Sequence, residues 1–215
     1  MKLLPSLFLF AFISVLFSCS KPNLQPNTGI YDEGLIIVFD PIDSVISGYY
    51  ENYSGWNESS SSPKFSCTFY FSGKVGSELG INIKSWYPGN PDVKSIINGD
   101  LKLSDDLKSL SIRLESEHGG CWNVQHFADG EFVPFYFTKN TKWKDIRVVK
   151  SEKTYFHKEA NDSSKRKAYV ISGDVLKVVK VQNEWLLVEY KNNISDKGTS
   201  GWVKAGDLFS NKAPD

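Results

Sequence analysis

The sequence predicts an all-β protein built as two successive units: an N-terminal antiparallel β-barrel or sandwich, followed by a smaller β unit. Three observations carry this. Apolar residues from Leu35 onward come in short runs, many of them alternating with polar ones and separated by Gly, Pro, Asn and Asp, the pattern of half-buried strands joined by turns. Aromatic residues make up 14% of the chain, and such residues together with Val and Ile suit a pleated, packed surface. Finally, charge changes sign along the chain: residues 19–145 carry 11 Lys/Arg against 16 Asp/Glu, whereas 146–215 carry 13 against 9. That break argues for two domains. The overall balance of 25 basic and 25 acidic residues argues against general nucleic-acid binding.

Taken in order, Leu35 to Phe39 (LIIVF) reads as a brief strand, or an apolar segment lying against the barrel, stopped by Pro41. Val45 to Tyr53 is a first long strand, and Glu58 to Pro63 a polar loop. Phe65 to Val75 alternates, Leu79 to Trp86 places Leu79, Ile81 and Ile83 on one face, and Tyr87 to Pro91 (YPGNP) is a turn. Ile96 to Leu103 and Leu110 to Glu115 follow. Cys121 to Phe127 reads as a further strand, joined through an Asp129-Gly130 hairpin signal to Glu131 to Thr138. Seven or eight strands with hairpin-length connections are what a small antiparallel barrel or sandwich requires.

The N-terminus carries an address. Met1-Lys2 gives a small positive start, Leu3 to Phe17 is apolar but for Pro5, Ser6 and Ser14, and the run ends in Leu16-Phe17-Ser18-Cys19. It is too short for a comfortable membrane span. Its close resembles the bacterial lipobox, with a bulky Phe17 where a smaller residue is usual. The resemblance implies a signal peptide over 1–18, lipidation of Cys19, and a protein held on a bacterial membrane, periplasmic or surface-exposed. Residues 19–30, polar with two prolines, are expected to form a flexible tether. With Cys19 taken by lipid, Cys67 and Cys121 remain in an oxidising compartment where pairing is the default. Alternation leaves one tension: if Trp122 and Val124 face the core, Cys121 points away from it.

Residues 146–210 resemble the bacterial SH3 domain family, before a short tail at 211–215. The resemblance rests on Ile146 to Ser151 as an opening strand, on Tyr155-Phe156, and on Gly173-Asp174-Val175-Leu176-Lys177-Val178-Val179. Asn183-Glu184-Trp185 with Val188 and Tyr190, and the closing Gly201-Trp202-Val203 with Asp207-Leu208, complete it. It implies a small SH3-like barrel after the 31–145 domain and, since family members commonly bind peptidoglycan or its peptides, a ligand groove drawn from Tyr155, Trp185, Tyr190 and Trp202. Fold is lent more firmly than function by such a likeness.

Outside that unit, Tyr49, Tyr50, Trp56 and Trp86 border strand ends and loops as a candidate partner surface. Lys165-Arg166-Lys167 forms a local positive cluster on a Ser-rich loop. His118, Cys121 and His126 fall within nine residues, yet their spacing fits no standard zinc site and no Cys–His hydrolase layout. No Ser-centred elbow or phosphate-binding glycine loop is present. The expectation is therefore a non-enzymatic envelope lipoprotein without metal or cofactor, binding peptidoglycan peptides or an envelope protein. Its rivals are an inhibitor or immunity protein of a wall-degrading enzyme and a barrel that holds a small ligand.

Overall fold

The computed structural model describes residues 24–88, 95–192 and 198–209. The expected signal peptide, the lipidation site Cys19, the tail at 211–215 and part of the Tyr87 to Pro91 turn lie outside them. Strands β1 (Gly29–Tyr31), β2 (Leu35–Asp40), β3 (Val45–Asn57), β4 (Ser62–Lys74), β5 (Gly80–Trp86), β6 (Ile97–Leu103), β7 (Ser109–Leu114) and β8 (Val133–Asn140) pair in sequence order. Pairing of β1 with β8 closes them into an antiparallel barrel. Of the two architectures left open by the sequence, the barrel is the one formed.

Period-2 alternation decides what fills it. Leu35 and Ile37, Ile46 and Tyr50, Cys67, Phe69 and Phe71, Ile81 and Ile83, Leu101 and Leu103, and Leu110, Ile112 and Leu114 share one buried cluster. At Gly48 a Cβ would stand 2.1 Å from the Phe71 ring. Gly48 and Phe71 stand directly opposite on β3 and β4, and the glycine is what lets that ring lie over the neighbouring strand. Phe127, from the loop before β8, completes the interior, edge-on to Tyr50 and Phe69 with centroids 5.1 and 5.0 Å away.

Two expectations about the barrel are corrected. Residues 24–30 are docked where a flexible tether was expected: Leu24 packs on the core, Asn27 Nδ2 donates to the Leu107 carbonyl at 2.7 Å, and Gly29 and Ile30 pair with Asn140 and Lys139. The segment is ordered because it supplies the strand that closes the barrel. Likewise, Cys121 to Phe127 is no strand. Gly120 takes a left-handed φ of 89°, and Cys121–Asn123 forms a 3-10 turn. A side chain at Gly120 would collide with the Ser66 carbonyl. The turn resolves the tension over Cys121, which is buried and disulfide-bonded to Cys67 with Cα atoms 4.3 Å apart, while Trp122 is 66% exposed.

The second unit is an antiparallel sheet of β9 (Asp145–Val148), β10 (Lys153–His157), β11 (Lys165–Ile171), β12 (Val175–Gln182), β13 (Trp185–Lys191) and β14 (Gly198–Lys204), in the order β11-β10-β14-β13-β12-β9. Its core includes Phe156, Val170, Leu176, Val178, Leu186, Val188 and Val203. The residues facing away from that core on β9 and β12, namely Ile146, Val148 and Val175, pack on the outer face of the barrel. They cover Ile36, Val38, Tyr49, Tyr70 and Trp86. This explains LIIVF: β2 is covered on both faces, and such strands read as continuous apolar runs.

Candidate functional site

Beside that apolar interface the two units diverge and leave a cleft of about 800 Å³, inside the range of roughly 300–1,000 Å³ typical of small-ligand sites. The barrel contributes the outward side chains of β3, where alternation puts Tyr49, Glu51 and Tyr53 on one face. The second sheet contributes a row of cross-strand neighbours. Ile146 stands opposite Lys177, Lys177 opposite Glu189, and Glu189 opposite Ser200. Ile146 packs toward the barrel, so the whole row does, and Lys177, Glu189 and Ser200 line the cleft. Trp143, in the connection between the units, and Tyr190 add aromatic wall.

Hydrogen bonds hold the charged groups in place. The Tyr53 hydroxyl donates to Glu51 Oε1, and Trp143 Nε1 donates to Glu189 Oε2 at 2.9 Å. Each acid is thus oriented by an aromatic donor beside it. The Tyr190 hydroxyl donates to Asp174 Oδ1 at 3.1 Å. Lys177 is only 8% exposed, and burial pulls its ammonium below the usual lysine range, opposed by the charges of Glu51 and Glu189. Burial first, then Glu51, pushes the Tyr49 hydroxyl well above the ordinary phenol value. The cleft therefore combines aromatic walls with fixed charges of both signs.

The residues singled out from the sequence scatter around this site. Tyr49 and Tyr190 line it. Tyr50 is a correction: it is fully buried in the barrel interior, because it alternates inward where Tyr49 alternates outward. Trp86 is also no free surface, since the second unit covers it. Trp56 remains 60% exposed near the tip of the β3–β4 hairpin. Trp185 is buried against the His157 ring at 4.8 Å, Trp202 pairs with His157 across β10 and β14, and Tyr155 lies under Lys165 Nζ at 3.7 Å. None of these three lines the cleft; Trp185 and Trp202 both neighbour His157 instead, apart from Tyr190. Lys165-Arg166-Lys167 belongs to the edge strand β11 and not to a loop.

The Cys/His cluster is dispersed as well. Cys121 is in the disulfide, His126 packs edge-on to Trp122, and His118 stacks on Phe69. The Ser85 hydroxyl donates to the Ile97 carbonyl at 3.0 Å, so His118 Nε2, 2.9 Å away, serves as donor to Ser85.

Glu51, Lys177, Glu189 and Trp143 were not singled out from the sequence. The one available signal was a lysine in the middle of the apolar run Val175 to Val179, where alternation alone reads it as solvent-facing. Comparison with protein-family models, with curated proteins and with solved structures found no match, so the site is described by its own geometry.

Proposed function

We propose that this chain is a non-enzymatic lipoprotein of the bacterial cell envelope that binds a cell-wall component, a peptidoglycan peptide, in the cleft between its barrel and its SH3-like sheet. The single observation that carries the reading is that cleft of about 800 Å³, with aromatic walls, two oriented carboxylates and a buried lysine. Tyr49, Tyr53 and Trp143 offer flat apolar area for a peptide's carbon skeleton, and fixed charges suit its ionic ends. The lipobox-like sequence around Cys19 supports a position beside the wall. Co-sedimentation of the full chain with purified sacculi tests it. Retention that soluble stem peptide competes away is expected; a chain left in the supernatant would overturn the peptidoglycan reading.

A second reading has its own observation. Trp56, Trp122 and the 41% exposed Phe65 lie at one end of the barrel, where the disulfide and the Ser54 Oγ bond to the Asn123 carbonyl hold the turn against the hairpin. A rigid aromatic rim suits an inhibitor of a wall-degrading enzyme. It predicts a stoichiometric complex and lost activity, and muramidases and amidases that stay fully active with the protein added would remove it.

A further inference from the structure

Among the described residues the Lys177 ammonium makes no hydrogen bond and no salt bridge, although the residue is more than nine-tenths buried and lines the cleft. Burying an ammonium is costly unless it is paired and hydrogen-bonded. Both nearby acids are engaged elsewhere, Glu51 by the Tyr53 hydroxyl and Glu189 by Trp143. The ammonium thus has donors to spend on whatever enters. A simple anion would gain Lys177 but meet the repulsion of two carboxylates, and a simple cation would face the reverse. A molecule carrying both signs meets a complementary group for each of its own charges.

We infer that the cleft recognises a short zwitterionic peptide, with its carboxylate on Lys177 and its ammonium between Glu51 and Glu189. This rests on the binding function proposed above and names the chemistry of that ligand. Burial adds selectivity: charge-assisted hydrogen bonds formed away from water are the strong ones, and leaving a buried charge unpaired is what penalises the wrong ligand. Two sources share this chemistry, a wall stem peptide with D-residues and the end of an all-L protein chain.

Titration calorimetry on the full chain tests it with four probes: L-Ala-γ-D-Glu-L-Lys, its form amidated on both carboxyls, its form acetylated on both amines, and all-L Ala-Glu-Lys. The free tripeptide should bind, and amidation, acetylation or Lys177→Met should each weaken it at least about tenfold. Lys177→Met should keep or raise the melting temperature, since an apolar residue of similar volume replaces a buried charge. Lys177→Arg should restore part of the affinity. Affinity unchanged by amidation and by Lys177→Met overturns the inference, as does the absence of binding by any free peptide. If sacculi are nonetheless retained, the broader binding function survives that failure. If Lys177→Met fails to fold, the amide and acetyl probes on the unmodified chain decide alone. Tighter binding of the all-L peptide would keep the charge assignment and overturn the wall as its source.

Discussion

His118 shows how one buried side chain ties pH to stability. Burial lowers its pKa from 6.5 to about 4, so the unfolded chain binds the proton more readily than the folded one across that interval. Its contribution is fully present above about pH 6.5 and is lost as pH falls toward 4. Between pH 7 and pH 4.5 the loss should be about 2–3 kcal/mol. Urea unfolding at the two pH values checks this against His118→Phe, which leaves the Ser85 bond to Ile97 in place and should remove that part of the acid sensitivity. Gly48 makes a different point. In the sequence it is a glycine inside a strand; in the barrel it is the space taken by Phe71. Gly48→Ala should cost about 1–3 kcal/mol by overpacking, read as a lower denaturation midpoint. Neither role was legible in the sequence, because each depends on a neighbour at least 23 residues away.

Among elements, the disulfide-bearing turn separates what pattern reveals from what it hides. The pairing of Cys67 with Cys121 matches what the expected export and lipidation of Cys19 left over, but the conformation around Cys121 did not follow from them. Two glycines, one with positive φ, bend the chain into a 3-10 turn, and the Glu117 carboxylate then fixes the return by accepting from the amides of Phe127 and Ala128 at 2.7 and 2.9 Å. The cross-link spans 54 residues, for which the chain-entropy account gives about 4 kcal/mol. Replacing both Cys67 and Cys121 with Ser should lower unfolding free energy by about 2–4 kcal/mol in denaturant titrations, with reduction of the parent approaching the same value. The β3–β4 hairpin is longer than alternation suggested, since Trp56 pairs with Pro63 and Asn57 with Ser62. Polar Ser-rich sequence reads as loop, yet the ladder extends through it. On β11, Lys165, Arg166 and Lys167 sit along a sheet edge, where positive charge discourages pairing with another chain.

Across the whole molecule, the two units are held by an apolar seam of Ile36, Val38, Tyr49, Tyr70 and Trp86 against Ile146, Val148 and Val175. Val148→Asp would bury a carboxylate within this apolar seam, and the barrel and the sheet should then unfold in two resolved calorimetric transitions where the parent gives one. It should also abolish peptide binding, because the cleft takes one wall from each unit. The sequence by itself determined the β class, the division near residue 145, the disulfide partners and which residues share a strand face, since these depend on local alternation, composition and compartment. Only the tertiary structure decided that the barrel closes, that Tyr49 and Trp86 meet the chain's own second unit, and that Lys177 is buried between two acids. The physical reason is that a period of two says which side chains lie on the same face of a strand, whereas what covers that face is set by contacts between strands as distant as β3 and β12.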